Sequence, residues 1–74
     1  MKKYIFTFGI GTPNKRRYQV IYAKDYEAAR NLMLQTWGKE WCWQYSEEAW
    51  AVTLNNCPVM REYTPLDDVI YQQE

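Results

Sequence analysis

Two cysteines, Cys42 and Cys57, and two acidic pairs, Glu47-Glu48 and Asp67-Asp68, are the side chains of this sequence best suited to carry a reaction. A thiol attacks as its thiolate, which needs a neighbouring base or positive charge. The chain has no histidine to act as that base, and Cys42 lies in a strand-like run where a thiol is expected to be buried and inert. The members of each acidic pair are adjacent, so their side chains diverge. Neither pair has the apolar setting that would separate two pKa values into acid and base roles. Metal chemistry fails on the same inventory, with no CxxC, no histidine and no loop of oxygen ligands around a sharp glycine turn. Gly9-Ile10-Gly11 begins like a phosphate loop but lacks a third glycine, and a second strand follows it where a helix N-terminus is required. The sequence predicts no catalytic residue, cofactor or metal, and hence a non-enzymatic protein.

Recognition is the chemistry that remains. Four tryptophans, seven tyrosines and two phenylalanines in 74 residues supply large apolar area, which serves either a small core or a contact surface. The formal charge is zero, yet residues 1–39 hold eight Lys/Arg against two Asp/Glu, and residues 40–74 hold one against seven. Either the two halves pack together and neutralise each other, or one presents a working surface. On the basic side, Lys15, Arg16 and Arg17 could grip phosphates while Tyr18 stacks on an unpaired base. On the acidic side, Glu47, Glu48, Glu62, Asp67 and Asp68 could imitate a phosphate row against a basic protein, with Trp50 or Tyr63 as the apolar anchor.

The elements that position these residues follow from periodicity. Lys3 to Ile10 alternates, with Tyr4, Phe6, Phe8 and Ile10 on one side, and Tyr18, Val20 and Tyr22 alternate against Gln19, Ile21 and Ala23. Gly11-Thr12-Pro13-Asn14 separates the two runs, giving a β-hairpin with Lys15-Arg16-Arg17 at its tip. A helix then starts at an Asp25 N-cap with Glu27 in its first turn and ends at Gly38, its stripe of Tyr26, Ala29, Met33 and Trp37 facing the sheet. Trp41-Cys42-Trp43-Gln44-Tyr45 reads as a third strand with both tryptophans and Tyr45 on one face. Ser46 caps a short helix over residues 47–52, and Pro58 stops it by Asn56. Val59 to Tyr63 reads as a last short strand, and Thr64-Pro65 opens a polar segment to Glu74, either a helical turn or a frayed tail.

The resulting expectation is one small α+β domain over residues 1–74, with 64–74 a loosely packed tail. Its order is β-β-α-β-(α)-β, with an antiparallel sheet packed on one main helix. The second sheet face, carrying Trp41, Trp43 and Tyr45, is left for the C-terminal segment, a second copy of the chain in a homodimer, or a partner. Met1-Lys2-Lys3 and the apolar run after it read as a strand and not as an export signal, and no stretch approaches the ~20 apolar residues of a membrane span. The thiols are accordingly expected reduced, in the cytoplasm.

Tyr4-Ile5-Phe6-Thr7-Phe8-Gly9, Ala23-Lys24-Asp25-Tyr26-Glu27-Ala28-Ala29-Arg30, and Trp37-Gly38-Lys39-Glu40-Trp41 with Gln44-Tyr45 and Glu47-Glu48-Ala49 together resemble the small uncharacterised proteins of phages, prophages and mobile elements of Gram-positive bacteria. The resemblance covers roughly residues 3–50 and does not extend beyond Ala51. It implies an intracellular accessory protein that binds a host defence or replication protein. The sequence thus points first to a protein-interaction module working through Trp41, Trp43, Tyr45, Trp50, Glu47 and Glu48. The alternative is a nucleic-acid-binding protein working through Lys15, Arg16, Arg17 and Tyr18.

Overall fold

The computed structural model describes residues 1–9 and 11–73. Ile10, assigned above to the first strand's apolar side, lies outside the described residues. Strand β1 (Lys2–Phe8) pairs antiparallel with β2 (Arg17–Ala23), Tyr4 opposite Ile21 and Phe6 opposite Gln19. Between them, turns closed by Thr12 N–H to Gly9 O, Lys15 N–H to Thr12 O and Arg17 N–H to Asn14 O carry the chain round. Arg16 at the end of this loop has φ 63°, a left-handed conformation that disfavours a residue with a Cβ.

Helix α1 (Tyr26–Trp37) forms where the caps foretell it. The Asp25 carboxylate accepts from the Ala28 N–H, and Gly38, at φ 62°, donates its N–H to Leu34 O. Its inner stripe lies on the face of β1 and β2 that carries Tyr4, Phe6, Phe8, Ile21 and Ala23, with Ala29 and Met33 buried at the contact. Trp37 meets Phe8 edge to face at 5.2 Å. Phe6, Ile21 and Met33 are fully buried, each adding about 1.5–3 kcal/mol of apolar transfer energy.

Strand β3 (Trp41–Ser46) pairs antiparallel with the other edge of β1. Its register shifts between Thr7 and Phe8: Thr7 faces Trp43, yet Phe8 faces Trp41, so Cys42 is an extra residue in a β-bulge. The bulge overturns the expected single aromatic face. Trp41 turns to the α1 side and meets Phe6 edge to face at 5.2 Å, while Trp43 and Tyr45 stay on the opposite side.

That opposite face is covered, in the main, by α2 (Glu47–Asn56), capped by Ser46 and running past Val52 to the stop at Asn56 that Pro58 sets. Trp50 is 8% exposed and lies between the rings of Tyr18 and Tyr45, each at 5.2 Å. Helices therefore lie on both faces, not one. Pro58–Glu62 is a 3₁₀ turn and not the expected strand, because Pro58 supplies a helical φ at its first position.

The segment after it is no frayed tail. β4 (Thr64–Pro65) and β5 (Ile70–Tyr71) pair parallel with successive parts of β2, making the sheet mixed, in the order β3-β1-β2-β4, with β5 also on β2. The Leu66 N–H donates to Tyr18 O and the Gln72 N–H to Tyr22 O, both at 2.8 Å. Leu66 and Ile70 close the α1-side core, and Tyr71 stacks on Tyr22 at 5.1 Å. No helix among the described residues is long and apolar enough to cross a membrane.

Candidate protein-interaction groove

β4 and β5 cover the outer edge of β2, whereas β3 ends the sheet with its outer edge unpaired among the described residues. Along this open edge the chain forms a groove of about 490 Å³, lined by Tyr26, Arg30 and Leu34 of α1, by Lys39 and by residues 41–44 of β3. The turn at Gly38 brings helix and strand together. Trp41 ties them, its indole N–H donating to Gly38 O at 3.0 Å and its ring carrying the Arg30 guanidinium at 5.1 Å. Two cations and no carboxylate line the groove among the described residues.

Gln44 and Gln19 both sit opposite Phe6, one on each side, and both are buried, at 4% and 2% exposure. Gln19, toward the closed edge, is fully engaged: Trp37 Nε1 donates to its Oε1, and its Nε2 donates to Asp68 O and Val20 O. Gln44, toward the open edge, donates its Nε2 to Tyr26 O at 2.9 Å, but its buried Oε1 has no partner. An orphan acceptor of this kind costs about 1–3 kcal/mol.

The residues singled out in the sequence divide between surface and core. Trp43 is 61% exposed, and Glu47 and Glu48 are exposed in the first turn of α2. Trp50 is core and not a surface anchor, and Tyr45 is half-buried against it. Burial raises the Tyr45 phenol above its ordinary pKa, with electrostatic interactions with Cys42, Tyr63 and Cys57 acting in the same direction. Trp41 is half-buried and engaged as described. Cys42 is exposed at the bulge, against the expectation of a buried thiol, and both cysteines are free.

The basic residues are likewise divided. Lys15 and Arg16 are exposed and line a hollow of about 300 Å³ with Val59 and Tyr63. Arg17 leans its guanidinium toward Pro65 O at 3.5 Å. Tyr18 packs on Trp50 and is not a free stacking platform.

Sequence reasoning missed Gln44, Arg30 and Lys39. A glutamine in an alternating strand reads as solvent-facing. The available signal was that Gln44 alternates with Trp43 and Tyr45, which places it on the helix side once α2 covers the aromatic side. Comparison with known proteins returned no matching family model, no curated relative and no matching solved structure.

Proposed function

We propose that this chain is a non-enzymatic protein-interaction module whose contact surface is the open edge of β3 and the adjoining groove. The observation that carries this reading is Trp43, a tryptophan 61% exposed on the one long strand edge left unpaired among the described residues. A large exposed aromatic beside unpaired backbone is a costly surface for a lone domain and a useful one for association. The resemblance of residues 3–50 to small uncharacterised proteins of phages and mobile elements implies a host protein as the partner. Lys15 and Arg16 beside Tyr63 favour a second reading, nucleic-acid binding at the hairpin tip. That reading predicts salt-sensitive retention of labelled oligonucleotide, lost in Lys15→Ala/Arg16→Ala.

Site-specific photocrosslinking tests the first reading. A photoreactive amino acid at position 43, introduced in cells that carry the protein, is expected to give a discrete protein adduct. The same group at the equally exposed Val52 on α2 is expected to give none. Identical patterns from the two positions, or no adduct from position 43, would refute it.

A further inference from the structure

We infer that the groove's occupant is an extended, carboxylate-rich peptide segment of another protein, which adds to β3 as a further antiparallel or parallel strand. This rests on the interaction reading above and specifies its partner. The molecule itself displays the relevant geometry on its other edge. There the segment 64–72 pairs with β2 at 64–65 and again at 70–71, sends Ile70 and Leu66 into the α1-side core and offers Asp68 O to Gln19. The β3 edge has the corresponding parts with that segment missing. It has a strand of six residues, an apolar wall of Tyr26, Leu34 and Trp41, and a buried glutamine with one unmet acceptor.

Strand addition supplies what is missing. Peptide N–H and C=O groups meet the β3 edge, and alternate side chains enter the groove. Charge selects the occupant, because Arg30 and Lys39 line the groove and no carboxylate does among the described residues. A nucleic-acid strand would satisfy the cations but leave the strand edge unpaired.

The probe is a displayed library of random linear peptides panned against the full chain at low salt, with recovered peptides resynthesised and measured by fluorescence polarisation. Recovered peptides are expected to be enriched in Asp and Glu around an apolar residue. Arg30→Gln/Lys39→Gln is expected to weaken them about tenfold, two partly exposed charge contacts together. Methylating peptide backbone nitrogens one at a time should abolish binding at every second position, the signature of a strand ladder. Should the neutral variant fail to fold, Arg30→Glu alone should switch preference toward lysine-substituted versions of the same peptides.

Recovery of no binders, binders without acidic enrichment, or a methylation scan without alternation would overturn the inference. So would tighter binding of labelled oligothymidylate in the same groove, or a wild-type dimer by light scattering that Trp43→Glu dissociates. If position-43 crosslinks persist while the peptide arms fail, the module reading stands and only the acidic-strand partner falls.

Discussion

The indole N–H of Trp37 donates to Oε1 of Gln19 across 3.1 Å, joining the last turn of α1 to the centre of β2. Because Gln19 also donates to Asp68 O, one buried side chain links the helix, the sheet and the segment between β4 and β5. Gln19→Leu keeps the volume but strands the indole N–H and the Asp68 carbonyl, so it should cost about 2–4 kcal/mol. Trp37→Ala should cost about 3–5 kcal/mol through lost packing on Phe8. Urea unfolding of both single mutants and the double mutant should give less than the sum, as expected of groups sharing one hydrogen bond.

Trp43 and Trp50 should respond in opposite ways. Trp43→Glu places a charge at an exposed site and should change stability by no more than about 1 kcal/mol. Trp50→Ala opens a cavity between Tyr18 and Tyr45 and should cost about 3–5 kcal/mol. Thermal melts followed by circular dichroism separate them, and an unfolded Trp43→Glu would contradict the exposed placement.

Two positive φ values set a matched pair of backbone substitutions. Arg16→Gly relieves a left-handed arginine and should stabilise by about 0.5–1 kcal/mol, after the extra unfolded-state entropy of glycine is subtracted. Gly38→Ala should destabilise by about 1–3 kcal/mol although no neighbouring atom obstructs a Cβ, because φ 62° with ψ −124° suits glycine alone. For a chain of this size each kcal/mol appears as a shift of about 4–8 °C in Tm.

Alkaline stability should depend on Tyr4. Burial raises its phenol above the ordinary 10.0, and the carboxylates of Asp25 and Glu48 push it further in the same direction. The folded chain therefore keeps this proton after the unfolded chain has lost it. Stability is unaffected below about pH 10 and falls as pH rises beyond the unfolded value. Tyr4→Phe should flatten that fall, measured as the urea midpoint against pH. An unchanged alkaline slope would show that Tyr4 does not govern it.

The hairpin, α1 and both N-caps were legible because period-two alternation, helical spacing and the Asp25 and Ser46 side chains are local signals. The face of Trp41 was not, since a bulge breaks alternation without leaving a residue-type mark at Cys42. Val59 and Met60 invited a strand assignment, but Pro58 controls the backbone there. Thr64–Pro65 and Ile70–Tyr71 are too short to show a period, and their conformation is imposed by the free edge of β2. Of the candidate site, Trp43 was legible as an aromatic surface. Arg30 and Gln44 become neighbours only when α1 and β3 pack, a tertiary event with no sequence spacing to announce it.

The bulge at Cys42 makes β3 one residue longer than its pairing with β1 requires. Deleting a residue from a strand ordinarily exchanges its inner and outer side chains beyond the cut. Here, removing Cys42 would bring Trp41 opposite Phe8 in unbroken register, on the side it already occupies. The strand thus carries a spare position, at which the length of the chain can change while the core stays in place and only the curvature of the groove wall is altered.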